Sequence, residues 1–576
     1  MIYLLLSVVL TAIFGVVAYQ KEAKAFSFAL TVVAFVIFLI VSFGALPVFN
    51  LWSFTGIWWL LLISSGLGLF AYFFSFIDDY QADFNWWRIT PLCVVFVTFS
   101  GLGLRGCECF QPENFCNMMP VDTVSLAEFK KDLFPTTVKK MICVDEAIAT
   151  KIAEELLDSD PGLGSRVAVG NMTMQPISGN FAINNDSVLS FEDAIIWVAP
   201  LEHKSFFKWI SNDVTPGYVI VDATDASLTR RWIVTELNGK PLALRYVESG
   251  RLWEDIEFHI KMNGYISRGL TDHRFEIDNH GNPHWVLTSY EPQIGFSAAE
   301  SKCAITVDPQ TGEIEEYLIS ESPEWLDRMQ PENFVYEQIS WWGEYQEGWW
   351  NSWVSQRNVQ SPTPGMTLVY SDSKSYWYTG IQSSGNSESS SGFMLVNTRD
   401  KSARYYKMNG VNERQAQSIA EDIPFAKTSG YMATKPVLYN LRGIPSYFMI
   451  LKGTSGNAMG YAFVSVENRS LFGAGTTPEE AEQAYLSRIG ISGDIKAEDD
   501  GVEKVSGKYS IKDITLVGET FYILFNGLPN YEFRAPNSLS PELKWTKPHH
   551  NVNVTYGKGE NKFIPLLQFD NLDINF

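Results

Sequence analysis

Two neighbouring segments, GNPHWVLTSY (281–290) and KCAITVDPQTGEIEEY (302–317), set the pattern from which the fold can be predicted. Both alternate apolar and polar residues, as half-buried β-strands do. The flanking turns, NHGN and DPQTGE, place Asn, Asp, Pro and Gly where tight hairpin turns need them. The sequence therefore predicts an antiparallel strand pair that begins near Trp285 and ends near Asp308.

The same arrangement recurs three more times along the chain. In each case an aromatic residue opens one strand, and a turn residue ends the next. The pairs are Trp197 with Asp222, Trp377 with Asn397, and Tyr447 with Ser465. Such self-similarity along a chain indicates tandem structural units.

Helical stretches lie between these strand pairs. Residues 144–160 and 411–423 carry apolar residues at helical spacing, and in TTPEEAEQAYLSRI (476–489) Thr477 and Glu480 are placed to form a capping box. A sheet with one apolar face needs a cover, so we predict about four units, each a helix on an antiparallel sheet. From residue 500 the short strands separated by VGE and GLPN turns predict a small β-barrel of OB or SH3 type.

The amino end of the chain is strongly apolar. A bilayer core about 30 Å thick needs roughly 20 apolar residues in a helix. Four runs approach this length and predict four transmembrane helices: 2–19, 25–44, 56–76 and 89–104. Lys21, Lys24 and Arg88 would hold the first and third loops in the cytoplasm, which places the remaining chain outside it. The expected location is the inner (cytoplasmic) membrane, with an extracytoplasmic soluble part.

The expected fold class is α+β: a four-helix transmembrane anchor followed by tandem α+β units and a C-terminal small β-barrel. The predicted division of the chain is 1–106 for the anchor, 107–235, 236–322, 356–410 and 411–492 for the four units, 323–355 for a tryptophan-rich segment, and 500–576 for the barrel.

The charge distribution limits the partners. The chain has a formal net charge of -21, and residues 1–106 contain four basic and four acidic residues, so the excess belongs to the rest. An acidic surface repels phosphate backbones, which argues against nucleic acid as a partner. A cationic partner, divalent ions and simple solubility are all compatible with this surface.

Three cysteines follow the last apolar run, in GCECFQPENFC (106–116). In an oxidising compartment Cys107, Cys109 and Cys116 are disulfide candidates. Zinc is the competing interpretation, but the C-x-C-x6-C spacing lacks the C-x2-C pairs of common zinc sites and has no histidine nearby. The sequence therefore predicts no metal and no cofactor.

Catalytic motifs are missing from the sequence. It contains no phosphate-binding loop, no G-x-S-x-G elbow and no H-E-x-x-H helix. We therefore expect a protein that is not an enzyme.

Six tryptophans fall within PEWLDRMQPENFVYEQISWWGEYQEGWWNSW (323–353). Val335, Ile339 and Trp342 follow one another at helical spacing, which favours a helix packed between two units. Trp341, Trp350 and Trp353 lie off this stripe and are candidate binding residues for a glycan or a peptide. Contact with a membrane or with a neighbouring protomer is the third interpretation.

The segment ITVDPQTGEIEEY (305–317) resembles the strand-turn-strand of PepSY-type domains, which are small α+β modules of bacterial envelope proteins. Over nearly its whole length, the chain also resembles a family of uncharacterised bacterial multi-pass membrane proteins. The segments that carry this resemblance are 265–286, 323–334, 376–385 and 461–475. The PepSY resemblance implies an association with the cell envelope and with protease inhibition.

These observations lead to two functional expectations. The first is a non-enzymatic, membrane-anchored scaffold or adaptor whose acidic repeat domain supports protein–protein assembly. The alternative is an envelope regulator, or a binder of a protease or a cell-wall polymer, acting through PepSY-like units and exposed tryptophans. Small residues in the apolar runs, including Gly66 and Gly101, favour a homo-oligomer.

Overall fold

The structure is a computed structural model of the 576-residue chain. It describes residues 106–574 except for short gaps, and the four apolar runs of the amino end lie outside the described residues. The gaps are 185–186, 296, 372–373, 384–389, 493–503, 518–519, 529–530, 537–538 and 558–562.

The described chain forms two compact units. The described parts of the first unit lie in residues 106–124, 149–383 and 393–405, and those of the second in 125–148, 390–392 and 406–574.

Ten α-helices are described, and all are short. They are α1 (Pro112–Cys116), α2 (Phe129–Asp132), α3 (Glu146–Asp158), α4 (Pro161–Gly164), α5 (Phe206–Ser211), α6 (Ile256–Ile260), α7 (Glu332–Glu344), α8 (Glu413–Asp422), α9 (Pro424–Ser429) and α10 (Pro478–Ser492). Single turns of 3-10 or π-helix occur at Leu126–Glu128, Val138–Lys140, Leu252–Glu254, Lys261–Tyr265, Asn351–Ser355 and Pro541–Trp545.

Strands make up most of the regular structure. The early strands are β1 (Val121–Val124), β2 (Val167–Val169), β3 (Thr173–Ile183), β4 (Ser187–His203), β5 (Tyr218–Asp222), β6 (Arg231–Val234), β7 (Glu236–Leu237), β8 (Lys240–Pro241), β9 (Gly269–Ile277), β10 (Pro283–Ile294), β11 (Ser297–Val307) and β12 (Ile314–Leu318). The middle strands are β13 (Gln360–Pro362), β14 (Thr367–Ser371), β15 (Lys374–Ser383), β16 (Ser390–Asn397) and β17 (Ala403–Gly410). The late strands are β18 (Met432–Ala433), β19 (Val437–Leu441), β20 (Ile444–Lys452), β21 (Ala458–Ser465), β22 (Phe472–Gly475), β23 (Lys504–Val517), β24 (Thr520–Phe525), β25 (Glu532–Pro536), β26 (Asn551–Gly557) and β27 (Phe563–Asn571).

Two sheets of the first unit share one core. The first has the order β6-β5-β4-β3-β7-β8, with β2 beside β4, and the second has the order β12-β11-β10-β9. Side chains from both sheets form a single apolar cluster that includes Ile196, Tyr218, Phe275 and Trp285. The Tyr218 hydroxyl donates to the carbonyl of Gly281 at 2.6 Å, so the polar end of this buried ring is also satisfied.

A third sheet has the order β1-β17-β16-β15-β13, with β14 beside β15. Helix α7 contacts β11 of the second sheet and β13 of the third. Val335 and Ile339 of α7 are fully buried in a cluster with Leu368 and Trp377 of the third sheet. The helix therefore packs between the second and third sheets.

The second unit contains a five-stranded sheet and a closed barrel. The sheet has the order β18-β20-β21-β22, with β19 beside β20, and α8 and α10 pack against it. Thr477 caps α10 by accepting from the Glu480 amide at 3.2 Å, and the Glu480 carboxylate reaches back to the Thr476 amide at 2.9 Å. The barrel has the order β23-β24-β25-β27-β26, in which β25 and β27 run parallel.

The predicted fold class and location are wrong. The described chain is mostly β, and within residues 106–574, gaps excepted, no helix is long and apolar enough to cross a membrane. Even α10, with 15 residues, is shorter than the roughly 20 that a bilayer requires. The four-helix transmembrane anchor and the integral inner-membrane location are corrected accordingly. The tandem α+β description also fails for the first two sheets, because they cover each other rather than each being covered by its own helix.

Candidate binding surface

Trp341 belongs to the interior. Its side chain is 9% exposed, and its ring meets Phe115 edge-on with centroids 4.8 Å apart. The Trp341 Nε1–H donates to Glu108 Oε1 at 2.9 Å, and the Tyr345 hydroxyl donates to Glu108 Oε2 at 2.6 Å. Trp341 therefore anchors α7 to the segment that carries Glu108 and takes no part in an exposed surface.

Trp350 and Trp353 lie on the surface, at 69% and 71% exposure, and neighbouring Val354 is 69% exposed. The Trp349 and Trp353 rings are nearly parallel, with an angle of 24° and centroids 6.1 Å apart, and Trp350 meets Trp349 edge-on at 5.1 Å. We call Trp349, Trp350, Trp353 and Val354 the tryptophan patch. Contiguous exposed apolar groups of this kind mark interaction sites more often than isolated exposed residues do.

Polar contacts hold the backbone of the tryptophan patch in place. After α7, Gly348 adopts a positive φ of 84°, which turns the chain into the π-helical turn that carries the patch. Asn351 closes this turn by donating from Nδ2 to the Arg357 carbonyl at 2.7 Å and by accepting from the Ser355 hydroxyl at 2.6 Å. Trp349 packs against the buried cluster of Phe115, Trp341 and Tyr345, so the patch is fixed to the interior through one of its own rings.

Acidic side chains surround this part of the molecule. Burial raises the pKa of the Glu337 and Glu344 carboxyl groups, and the charge of Glu108 raises both further. Burial and the hydrogen bond to Glu108 raise the pKa of Tyr345 well above its usual range. Since these carboxylates repel one another, a cationic group that approaches this face lowers the electrostatic free energy.

The three cysteines of the 106–116 segment are thiols in the structure. The Cys107 and Cys109 sulfurs are 2.8 Å apart, and Cys116 Sγ lies 3.7 Å from the Trp342 carbonyl oxygen. The structure therefore brings the first two candidates together and directs the third towards α7.

A cluster of buried charged side chains lies elsewhere in the first unit. We call Asp272, Arg274, Glu276, Asp327 and Arg328 the ion cluster. Arg274 is paired with Glu276 at 2.7 Å and with Asp272, and Arg328 lies 3.7 Å from Asp272. Burial raises the pKa of Asp327 to about 6, the charge of Glu276 adds to this shift, and the two arginines oppose it. The side chains mainly neutralise one another, which indicates a structural role.

A second exposed aromatic surface was not predicted from the sequence. Phe206, Phe207 and Ile210 of α5 are all exposed, and so is Trp253, in the 3-10 turn Leu252–Glu254. Trp209 Nε1 donates to Glu254 Oε2 at 2.7 Å and so joins the two segments. We call this surface the α5 patch. The signal in the sequence is SFFKWI (205–210), in which Phe206, Phe207, Trp209 and Ile210 have the spacing of one apolar helix face.

Outside the gaps of the 106–574 range, no three His, Cys, Asp or Glu side chains are grouped so that they could hold a metal ion.

Comparison of the chain with protein-family models and with curated proteins finds no match. The resemblance to PepSY-type domains and to bacterial multi-pass membrane proteins stays a prediction.

Proposed function

We propose that the protein is a non-enzymatic assembly protein that binds a polypeptide partner through the tryptophan patch. The observation that carries this proposal is the exposure of Trp350 and Trp353 on a turn whose backbone is fixed by Asn351. Tryptophan is among the residues that most often dominate the free energy of protein–protein binding. A turn that is already ordered loses little conformational entropy when a partner binds.

The charge of the surroundings defines the partner. Glu347 is exposed just before the patch in the chain, Glu108 and Glu344 are partly exposed, and the whole chain has a net charge of -21. The expected partner is therefore a polypeptide with an apolar anchor flanked by lysine or arginine. Complementary charge of this kind speeds association and makes it sensitive to salt.

Binding of a neutral cell-wall polymer is the second candidate function. The nearly parallel rings of Trp349 and Trp353 favour it, because flat aromatic faces can stack on sugar rings. Unlike the peptide interaction, binding of an uncharged polymer does not depend on salt.

Full-length protein and defined probes distinguish these functions. The probes are a library of peptides with an apolar anchor flanked by lysine, the same library with glutamate in place of lysine, and an insoluble cell-wall glycan. We expect the protein to bind only the lysine peptides, and we expect this binding to weaken as the salt concentration rises. The double variant Trp350→Ala/Trp353→Ala is expected to lose this binding. Trp545→Ala is the matched control, because Trp545 is 63% exposed but belongs to the barrel region.

The outcomes separate the two candidates. Binding that is equal for the lysine and glutamate libraries, or unchanged in the double variant, contradicts the proposed function. Retention on the glycan that is lost in the double variant and insensitive to salt supports the second candidate instead.

A further inference from the structure

The two thiols of the C-x-C sequence lie side by side in a hydrogen-bonded turn. Cys107 Sγ and Cys109 Sγ are 2.8 Å apart, and both residues are partly exposed. The Phe110 amide donates to the Cys107 carbonyl at 3.1 Å, and the Gln111 amide donates to the Glu108 carbonyl at 3.3 Å. A disulfide bond is about 2.05 Å long, so the sulfurs need to approach by less than about 1 Å to form one.

The contact between the two sulfurs does not assign the attacking thiol. The hydrogen bond with Cys107 raises the pKa of the Cys109 thiol, and either sulfur can be the donor of that bond. Whichever thiol loses its proton first supplies the thiolate that attacks in disulfide exchange.

We propose that Cys107 and Cys109 form a redox-active dithiol that exchanges with the disulfide of a thiol oxidant, either a small disulfide or a disulfide-bearing protein. The thiolate of one cysteine attacks one sulfur of the oxidant and forms a mixed disulfide, which releases the first oxidant thiolate. The other cysteine then loses its proton and attacks the sulfur of the first cysteine, which releases the second oxidant thiolate. This chain loses two electrons and two protons. The oxidant gains both, as two thiols.

The residue between the cysteines links this reaction to the interior. The backbone of Glu108 forms part of the ring that a Cys107–Cys109 disulfide closes. Its side-chain carboxylate accepts the hydrogen bonds of Trp341 and Tyr345. Oxidation is therefore expected to move the Glu108 carboxylate, which is the hydrogen-bond acceptor of the buried Trp341 indole. The tryptophan emission spectrum is then expected to differ between the reduced and the oxidised protein. The proposal rests on the thiol geometry and does not depend on the proposed function.

Proteolysis after glutamate identifies the bridge directly. The full-length protein is equilibrated in buffers with different ratios of reduced and oxidised glutathione, alkylated and cleaved. Cleavage after Glu108, Glu113 and Glu128, combined with tryptic cleavage after Arg105 to remove Cys93, places Cys107, Cys109 and Cys116 in three separate fragments. We expect mass spectrometry to find the Cys107 and Cys109 fragments joined under oxidising conditions, with a single midpoint as the glutathione ratio changes. No Cys107–Cys109 bridge at any ratio, or a bridge that always includes Cys116, overturns the proposal.

Serine variants test whether the two sulfurs act as a pair. Cys109→Ser and Cys107→Ser each remove one of the two sulfurs, and each variant is expected to trap a mixed disulfide with glutathione on the sulfur that remains. Cys116→Ser is the control and is expected to form the bridge as the wild type does. Loss of the bridge in Cys116→Ser, or no trapped mixed disulfide in either of the first two variants, overturns the proposal.

Discussion

At the scale of single residues, Trp341, Trp350 and Trp353 have different environments, although all three lie off the apolar stripe of the same short segment. The spacing that sets them apart from the helical stripe does not determine their exposure, because α7 ends at Glu344 and the chain then changes direction. Trp341 is buried by Glu108 and Phe115, residues more than 200 positions earlier in the sequence. No local pattern can show such a contact, whereas the exposure of Trp350 and Trp353 agrees with their position beyond the helix.

We expect Trp341→Ala to lower the free energy of unfolding by about 3–5 kcal/mol, the usual cost of removing a buried aromatic side chain. Trp350→Ala is the matched control and is expected to change it by less than about 0.5 kcal/mol, because its ring is exposed. Urea unfolding followed by circular dichroism measures both values. Equal losses in the two variants would contradict the environments described here.

Asp327 makes a specific contribution to pH dependence. Its pKa is about 6 in the folded protein against 3.8 for the free side chain, so the unfolded chain loses this proton first as the pH rises. Asp327 therefore lowers the free energy of unfolding progressively between about pH 4 and 6. Asp327→Asn removes this effect, and we expect its stability relative to the wild type to increase by up to about 3 kcal/mol between pH 4 and 7.

Urea unfolding of both proteins at a series of pH values tests this expectation. A stability difference that stays constant from pH 4 to 7 is inconsistent with a raised pKa at Asp327. If the stability difference decreases as the pH rises, the pKa of Asp327 is lowered in the folded protein. The charges of Arg274 and Arg328 would then outweigh the effect of burial.

At the scale of the elements, Gly343 explains how α7 fits between its neighbours. Glycine destabilises an isolated helix, so Gly343 disfavours the prediction of a helix from the sequence. In the structure, a Cβ at this position lies only 2.4 Å from the carbonyl oxygen of Gln360 in β13. The glycine therefore permits close packing of the helix on the third sheet.

Gly343→Ala is expected to lower the free energy of unfolding by about 1–3 kcal/mol, because the clash exceeds the gain of about 1 kcal/mol in helix propensity. Gly348→Ala is a useful comparison, since its positive φ disfavours alanine although no atom lies within 4 Å of the new Cβ. We expect a cost of about 1 kcal/mol there. Thermal unfolding of both variants measures these effects, and a stabilised Gly343→Ala protein would show that α7 does not approach β13 this closely.

Strand pairs were the most predictable elements. The aromatic residues and turn residues that mark the four repeats fall in, or in the case of Asp308 directly after, four pairs of neighbouring strands: β4 with β5, β10 with β11, β15 with β16, and β20 with β21. Alternation and turn chemistry are local, so the sequence reveals them. The packing of the first two sheets on each other depends on contacts such as Tyr218 with Phe275, which are distant in sequence and leave no periodic signal.

At the scale of the whole molecule, the predicted fold class is wrong. The apolar amino end led to a prediction of transmembrane helices that lies outside the described residues. The predicted fold class gave too much weight to helices, because short capped helices such as α8 are easily recognised while the sheet-on-sheet core is not. The homo-oligomer, which rests on Gly66 and Gly101, stays a prediction. The domain boundaries also stay a prediction.

Hydrogen–deuterium exchange of the full-length protein, with and without a lysine-flanked peptide, tests the central claim that the tryptophan patch is the binding surface. Backbone amides of the turn that carries the patch, in residues 348–358, are expected to gain protection when the peptide binds, and the Trp350→Ala/Trp353→Ala variant is expected to show no such gain. Protection confined to the α5 patch at residues 205–211, with none in 348–358, would contradict the account and assign binding to that second aromatic surface.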